Sequence, residues 1–282
     1  GKVGGFFLRL PQDDPKTDIK PAAYVKSDQF EERAVEVGAA GWPLKGTLTL
    51  PKQGRPCPLV VLVHGSGPND QDETIGPNKP FRDLAHGLAS SGIAVLRYEK
   101  RTRAYAAKLK DAKPGDINLE TEVIDDALAT LELGRKQAEI DPKRVFVLGH
   151  SLGASVAPEI ARRDGKLAGA ILLAAASRPP DQIVLDQLGY LSKHDPGQTE
   201  AIAKMLPELE TQFAQLRAGR LELDAKIMGA PVAYWNSWLA FDPVKVATRI
   251  PGTPMFIARG SRDYQVVDVD AARFRDALKA RS

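Results

Sequence analysis

Residues 145–153 read Val-Phe-Val-Leu-Gly-His-Ser-Leu-Gly, and this stretch decides the fold. A short apolar run leads into the pattern Gly-x-Ser-x-Gly around Ser151, and residues 154–163 can continue as a helix. Between a strand and a helix, this pattern predicts a sharp turn that exposes the serine hydroxyl. The turn strains the serine backbone, and Gly149 and Gly153 must lack side chains so that the strand and the helix can approach each other.

Strands and helices alternate on both sides of this turn. Uninterrupted aliphatic runs are typical of strands buried on both faces of a parallel sheet; they occur at residues 59–63, 93–96, 145–148 and 170–173. Helical patterns fall between them, and residues 34–37 and 44–50 predict an antiparallel hairpin. The chain is therefore predicted to be an α/β protein with a doubly wound, mostly parallel sheet.

The alternation stops between residues 178 and 241, where the pattern is helical and predicts no strand. A strand pattern returns at 254–258, and a last helix is predicted from about residue 268 to residue 280. This predicts three parts: an N-terminal arm and linker (1–30), an α/β core (31–177 and 242–282) and an inserted helical cap (178–241).

Composition excludes several classes of protein. The 282 residues carry a net charge of +3, and the densest basic cluster (Lys100, Arg101 and Arg103) is too short to bind nucleic acid. No apolar run approaches the ~20 residues that span a bilayer. The single cysteine, Cys57, excludes an internal disulfide framework. No His, Asp or Glu cluster has metal-ligand spacing, so no metal or cofactor is expected. The chain begins with Gly1 and shows no signal peptide, which leaves its compartment open.

Three segments together resemble the α/β-hydrolase superfamily: residues 149–153, residues 64–67 (His-Gly-Ser-Gly) after a central strand, and residues 260–263 (Gly-Ser-Arg-Asp) after a late strand. More narrowly, residues 64–70, residues 76–79 (Gly-Pro-Asn-Lys) and residues 96–102 (Leu-Arg-Tyr-Glu-Lys-Arg-Thr) resemble a bacterial group of serine esterases and serine aminopeptidase-like hydrolases. The resemblance extends from about Val35 to the C-terminus.

The resemblance implies a role for several residues. Ser151 would be the nucleophile, and the backbone N–H groups of Ser66 and Leu152 would form the oxyanion hole. Asp263 would be the triad acid that orients an imidazole. Its competitor, Asp242, is expected to be a helix N-cap instead.

None of the four histidines is expected to be the base. The family order is serine, acid, histidine, and no histidine follows Asp263. His64 is expected to orient backbone, and the His150 side chain to point away from the serine hydroxyl. His86 lies off the apolar face of its helix and is expected to be solvated.

Three explanations of the missing base stay open: a truncated C-terminus with the histidine beyond Ser282, a base supplied by His194 of the cap, or a protein without catalysis. In the first, the 282 residues should hydrolyse p-nitrophenyl acetate far more slowly than a longer chain. The strand at 254–258 would also keep an unpaired edge, which favours self-association.

The resemblance implies a carboxylesterase that cleaves small to medium acyl esters through an acyl-enzyme on Ser151, with a small-molecule ester as its partner. Residues of the cap would either line an acyl pocket or only pack the cap onto the body; they are Met205, Met228, Tyr234, Trp235 and Trp238. Two rivals stay open. One is a peptidase of the same fold that anchors an amine on Asp70, Asp72 or Glu73. The other is a binding protein that keeps the serine turn without turnover.

Overall fold

A seven-stranded sheet forms the centre of the computed structural model, which describes residues 21–250 and 252–279. The strands are β1 (Phe30–Val37), β2 (Leu44–Pro51), β3 (Cys57–Val63), β4 (Ala94–Tyr98), β5 (Ile140–His150), β6 (Gly169–Leu173), β7 (Lys226–Ile227), β8 (Ala230–Pro231) and β9 (Met255–Ala258). Their order in the main sheet is β1-β2-β4-β3-β5-β6-β9, and β7 and β8 pair separately. Strands β4, β3, β5, β6 and β9 are parallel, whereas β1 and β2 are antiparallel. The predicted doubly wound, mostly parallel sheet is confirmed.

Helices fill the intervals between these strands. They are α1 (Pro80–Ala89), α2 (Arg101–Ala104), α3 (Asp125–Arg135), α4 (Leu152–Asp164), α5 (Pro180–His194), α6 (Thr199–Arg217), α7 (Val232–Leu239), α8 (Pro243–Ala247) and α9 (Asp268–Lys279). A π turn, Glu120–Ile124, leads directly into α3. Asn118 begins that turn, as its Oδ1 accepts from the Thr121 N–H at 3.0 Å.

Strand β3 shows why the aliphatic runs become central strands. Val61 and Val63 face the main core together with residues of α3 and α4, whereas Val60 and Leu62 face a second core under α1. Each buried side chain of this size contributes roughly 1.5–3 kcal/mol relative to its exposed state. Because both faces are covered, the run has no polar alternation, and its predicted place inside the sheet is confirmed.

The segment between β6 and β9 holds α5 to α8 and the short hairpin of β7 and β8. The expectation of no strand between residues 178 and 241 is therefore wrong in one detail. Met228 and Gly229 between the two strands have φ of 51° and 82°, the backbone of a tight hairpin turn. Strands of two residues are too short to show an alternating pattern. The division into arm, core and cap stays a prediction, and residues 1–20 of the arm lie outside the described residues.

His86 on α1 differs from its prediction. Its Nε2 lies 3.0 Å from Glu32 Oε1, and its ring packs 4.8 Å from the Phe30 ring. Because strand β1 lies against this end of α1, the side chain is only 21% exposed. The expected solvated histidine is therefore half-buried and paired.

Strand β9 is at the edge of the sheet, next to β6, and has no second neighbouring strand among the described residues. Phe256 on this strand is 64% exposed. An uncovered edge offers free backbone groups to another chain. Self-association through this edge stays a prediction.

Candidate active site

Ser151 lies at the turn between β5 and α4 with φ 51° and ψ −113°. Positive φ is rare for a residue with a side chain and signals strain that the surroundings must hold. The Ser151 N–H donates to Leu173 O at 2.9 Å, which ties the turn to the end of β6. The side chain is half-buried and lies before the first residue of α4. The strained serine turn predicted from residues 149–153 is confirmed.

Two glycines allow this turn to form. A Cβ on Gly149 would lie 2.2 Å from the carbonyl carbon of Gly153, and a Cβ on Gly153 would lie 2.2 Å from Val63 O. Contacts this short with backbone atoms cannot be relieved by moving a side chain. The predicted close approach of β5 and α4 is present at Gly149, and the first turn of α4 is also packed directly against the end of β3.

The loop after β3 brings a second set of backbone N–H groups to the same place. A Cβ on Gly65 would lie only 3.3 Å from Ser151 Cβ, so this loop touches the serine turn. The N–H groups of Ser66 and Leu152 have no hydrogen-bond acceptor within the described ranges. Free N–H groups beside a serine side chain are the geometry that an anionic oxygen requires.

Buried polar side chains hold this loop in place. Glu73 Oε1 accepts from the Gly65 N–H at 2.7 Å, and Lys100 Nζ donates to Gly65 O at 2.8 Å. Asn69 Nδ2 donates to the same Gly65 O at 3.1 Å. Glu73 itself has φ 51°, so a second strained residue faces the strained serine turn. Hydrogen bonds therefore hold both the N–H and the carbonyl oxygen of Gly65, and with them this part of the loop.

His150 extends this contact to the serine turn. Its Nδ1 lies 3.0 Å from Glu73 Oε2, close enough for an ion pair but outside hydrogen-bond alignment. Burial disfavours the imidazolium, but the Glu73 carboxylate, and then Asp263, outweigh burial and raise the pKa of His150 above its ordinary value. One carboxylate, Glu73, thus contacts both the Ser66 loop and the residue next to Ser151.

His64 is buried beneath the loop, with its ring against Phe81 and Tyr98. Its Nε2 has no hydrogen-bond partner among the described residues. Burial lowers the pKa of His64 to about 4, since Glu73 only partly opposes the loss of solvent. His64 is therefore a neutral, structural imidazole near pH 7.

This pKa predicts acid sensitivity. The pKa of His64 is lower in the folded chain than the ordinary 6.5, so protonation favours unfolding. The neutral imidazole therefore contributes its full stability above pH 6.5, and this contribution is lost as the pH falls towards 4. The free energy of unfolding should drop by roughly 2–3 kcal/mol between pH 7 and pH 4.5 through this residue alone.

Urea unfolding at both pH values, for the wild type and His64→Gln, measures this drop. The variant keeps every carboxylate, so only the difference between the two proteins reports on His64. Equal losses of stability in both proteins would contradict the prediction.

His194 lies away from these contacts, at the end of α5. Its exposed ring lies 4.3 Å from the Tyr190 ring at a tilt of 35°, and Tyr190 stacks 4.7 Å from Tyr264. Tyr264 follows Asp263 in the chain, so the stack links α5 to the Asp263 loop. His194 makes no hydrogen bond to Ser151 or Asp263 in the structure's described part.

Asp263 follows β9 in a tight turn. Its Oδ1 accepts from the N–H groups of Gln265 and Val266 at 2.9 and 3.0 Å, which orients the carboxylate. Because β5, β6 and β9 run parallel, the Asp263 turn after β9 lies at the same edge of the sheet as the serine turn after β5. The competitor Asp242 accepts from the Lys245 N–H at 3.0 Å, which confirms that it is the N-cap of α8.

The buried Asp270 of α9 holds the Asp263 loop. Its Oδ1 accepts from the Ser177 N–H at 2.8 Å and the Arg178 N–H at 3.1 Å, just beyond β6. Its Oδ2 accepts from the Val267 N–H at 3.2 Å. Asp270 thereby joins the loop after β6 to the loop after β9. This contact holds the Asp263 loop at the end of the sheet.

The aromatic residues of α7 are mainly packed. Tyr234 belongs to the main core, and its hydroxyl donates to Glu122 Oε2 at 2.8 Å. Trp235 belongs to the cluster between α5, α6 and α7, and Trp238 stacks on it at 5.8 Å. Met205 and Met228 instead line a shallow depression of about 190 Å³. A role for any of the five in binding an acyl group stays a prediction.

Two residues of the site, Glu73 and Lys100, were not assigned to it from the sequence. The sequence indicates Glu73 only as a candidate amine anchor and Lys100 only as a member of a short basic cluster. Both residues contact Gly65, although Glu73 lies 8 residues and Lys100 lies 35 residues away in the sequence. The resemblance of residues 96–102 to the same group of hydrolases covers Lys100, whereas Glu73 lies outside every segment that carries the resemblance.

Two further features are absent from the described ranges. No three His, Cys, Asp or Glu side chains are grouped so that they could hold a metal ion. No helix there is both long and apolar enough to cross a bilayer.

Comparison with known proteins identifies the class. Residues 60–281 match the Alpha/beta hydrolase family, and the chain belongs to that family. It is 40% identical over 281 residues to esterase EstD of Thermotoga maritima, a match that covers all of this chain and 63% of EstD. The chain thus spans less than two thirds of the length of that curated relative.

Solved structures share the fold at low sequence identity. An acylaminoacyl peptidase of Pyrococcus horikoshii has a TM-score of 0.60 at 17% identity, covering 90% of this chain and 36% of the peptidase. Est1E of Butyrivibrio proteoclasticus has a TM-score of 0.56 at 18% identity, covering 87% of this chain and 85% of Est1E. These likenesses support the fold alone.

Proposed function

We propose that this hydrolase is a carboxylesterase that cleaves small to medium acyl esters through an acyl-enzyme on Ser151. The observation that carries the proposal is that the loop after β3 and the first residue of α4 both lie beside Ser151. The strained Ser151 lies beside a loop whose Ser66 N–H is free, and the free Leu152 N–H begins the helix behind it. The likeness to EstD, named an esterase, supports the same class of substrate.

The chemistry follows from these positions. Ser151 Oγ bonds to the ester carbonyl carbon as its proton passes to a base, the role that the family resemblance gives to a histidine after Asp263. The carbonyl oxygen becomes an anion, which the N–H groups of Ser66 and Leu152 stabilise. The carbon–oxygen bond to the alcohol then breaks as the alcohol takes a proton. Water attacks the acyl-enzyme in the same way and releases the acid.

Among the residues that the structure describes, none of the three carboxylates expected to anchor an amine in the peptidase alternative is free. Asp70 Oδ1 accepts from the N–H groups of Asp72 and Thr74, and Asp72 pairs with Lys79 and Arg97. Glu73 is occupied by Gly65 and faces His150. All three carboxylates considered for that role are engaged within the protein, so an ester is the better substrate.

A fluorophosphonate probe and two substrate panels test the proposal. The probe should label Ser151, located by peptide mass spectrometry, because only an activated serine attacks phosphorus. p-Nitrophenyl acetate, butyrate and octanoate should be cleaved faster than aminoacyl-naphthylamides. In a chain extended past Ser282, an unlabelled Ser151 without ester turnover would favour the binding protein, and faster cleavage of the amides would favour the peptidase.

A further inference from the structure

Lys100 is a buried cation close to the proposed active site. Only 2% of its side chain is exposed, although it lies just after β4 at the start of α2. Burying an ammonium carries a large desolvation cost unless good partners offset it. Its Nζ has two: Gly65 O at 2.8 Å and Glu122 Oε1 at 3.3 Å. One partner is a counter-charge, and the other is a backbone carbonyl of the loop beside Ser151.

The carbonyl that Lys100 holds belongs to the same peptide unit as the Ser66 N–H. The described chain has one cis peptide bond, Arg55–Pro56, so the Gly65–Ser66 peptide is trans. In a trans peptide the C=O and N–H point in opposite directions within one plane. An ammonium on Gly65 O therefore fixes the direction of the Ser66 N–H. It also polarises the amide, which strengthens the N–H as a donor.

Neighbouring contacts prevent this peptide from rotating. Asn69 Nδ2 donates to both Gly65 O and Ser66 O at 3.1 Å. On the other side, the Gly65 N–H is held by Glu73 at 2.7 Å. A glycine could otherwise adopt several backbone conformations at little cost. With both of its peptide units held, Gly65 presents the Ser66 N–H in one orientation.

Glu122 balances the charge of Lys100 and is itself fully engaged. Thr102 Oγ1 donates to its Oε1 at 3.0 Å, and Tyr234 OH donates to its Oε2 at 2.8 Å. Burial, together with Glu122, raises the pKa of Tyr234, so its hydroxyl remains a donor. Tyr234 belongs to α7, so a continuous chain of contacts runs from α7 through Glu122 and Lys100 to Gly65.

We propose that Lys100 is a positioning residue of the oxyanion hole: by holding Gly65 O, it aims and polarises the Ser66 N–H towards the oxygen that becomes negative in the transition state. This rests on the proposed function. A cation that only stabilised the fold would affect unfolding and leave catalysis by the folded protein unchanged.

Lys100→Met tests the proposal, because methionine keeps much of the length and removes the charge and the donors. With p-nitrophenyl butyrate, kcat should fall about 10- to 100-fold while KM changes less than about twofold, since the lost interaction acts on the transition state. The inhibition constant for phenylboronic acid, which forms a tetrahedral adduct with a serine, should rise by a similar factor.

Arg101→Met is the matched control. Arg101 is the next residue, is 5% exposed, and pairs with Asp126 through Nε at 2.9 Å and Nη2 at 2.7 Å, away from the Ser66 loop. It should lower the urea midpoint and leave kcat of the folded protein within about twofold of the wild type. An equal loss of kcat in both variants would overturn the proposal.

The double variant Lys100→Met/Glu122→Gln covers a failure of the single variant to fold. Because it removes both charges, neither is left buried without a partner. It should fold and keep the low kcat. Near-wild-type kcat in the folded double variant would overturn the inference alone. These kinetics are measured in a chain extended past Ser282, so that a base after Asp263 can be present. Absence of Ser151-dependent turnover in that longer chain would overturn the proposed function, and this inference with it.

Discussion

Ser151→Ala is expected to lower kcat/KM for p-nitrophenyl butyrate by at least about 10³-fold, because only the oxyanion hole and substrate binding can still contribute. Labelling by a fluorophosphonate should disappear with it. The urea midpoint should stay within error of the wild type: Ser151 stabilises the turn through its backbone N–H to Leu173 O, which alanine retains. Loss of activity without loss of stability would separate a chemical role from a structural one.

Ser192→Ala is the control for this comparison. Ser192 lies in α5, and its hydroxyl makes no hydrogen bond among the described residues. It should keep both turnover and labelling, since alanine is also the better helix former. If Ser151→Ala kept kcat/KM within about tenfold of the wild type, Ser151 would not be the nucleophile.

Gly153→Ala should damage both stability and activity. Its Cβ would lie 2.2 Å from Val63 O and 2.6 Å from His64 O, so the first turn of α4 must move away from the end of β3. Forced overpacking of this kind costs about 1–3 kcal/mol or more. The displacement would also separate the Leu152 N–H from the Ser66 N–H. We expect a kcat loss above about 100-fold, the size associated with a lost oxyanion donor.

Gly189→Ala is the matched control. Gly189 lies inside α5 with open space around its Cβ position. Alanine there should raise stability by about 0.5–1 kcal/mol, because glycine is the poorer helix former. Urea unfolding and ester kinetics on both variants provide the measurement. A fully stable, fully active Gly153→Ala would show that the close approach of α4 and β3 is dispensable.

Much of the architecture was predictable because its signals are local. The run 59–63 has no polar alternation, and both of its faces are indeed buried. The spacing of Gly149, Ser151 and Gly153 predicted the strained turn, which has φ 51° at its serine. Asp242 before Pro243 predicted an N-cap, and it accepts the expected N–H. Each of these features depends on residues within a few positions of one another.

The interactions that hold the proposed site were not predictable in the same way. In the sequence, Lys100 is only a member of a short basic cluster, yet in the structure its buried ammonium donates to a carbonyl 35 residues away. Glu73 resembled a free loop carboxylate, yet it holds Gly65 and faces His150. His86 was expected in solvent and pairs with Glu32, 54 residues away. The sequence around a charged side chain does not show whether a residue far along the chain will pair with it and bury it.

The sequence by itself therefore determined the order of strands and helices and the sharp bend at Ser151, because steric limits and hydrophobic periodicity act within a few residues. Only the tertiary structure decided which buried charges hold the loop of Ser66 in place. Those charges lie in the loop after β3, at the start of α2 and in the turn before α3, and they meet only once the sheet has brought the ends of its strands together.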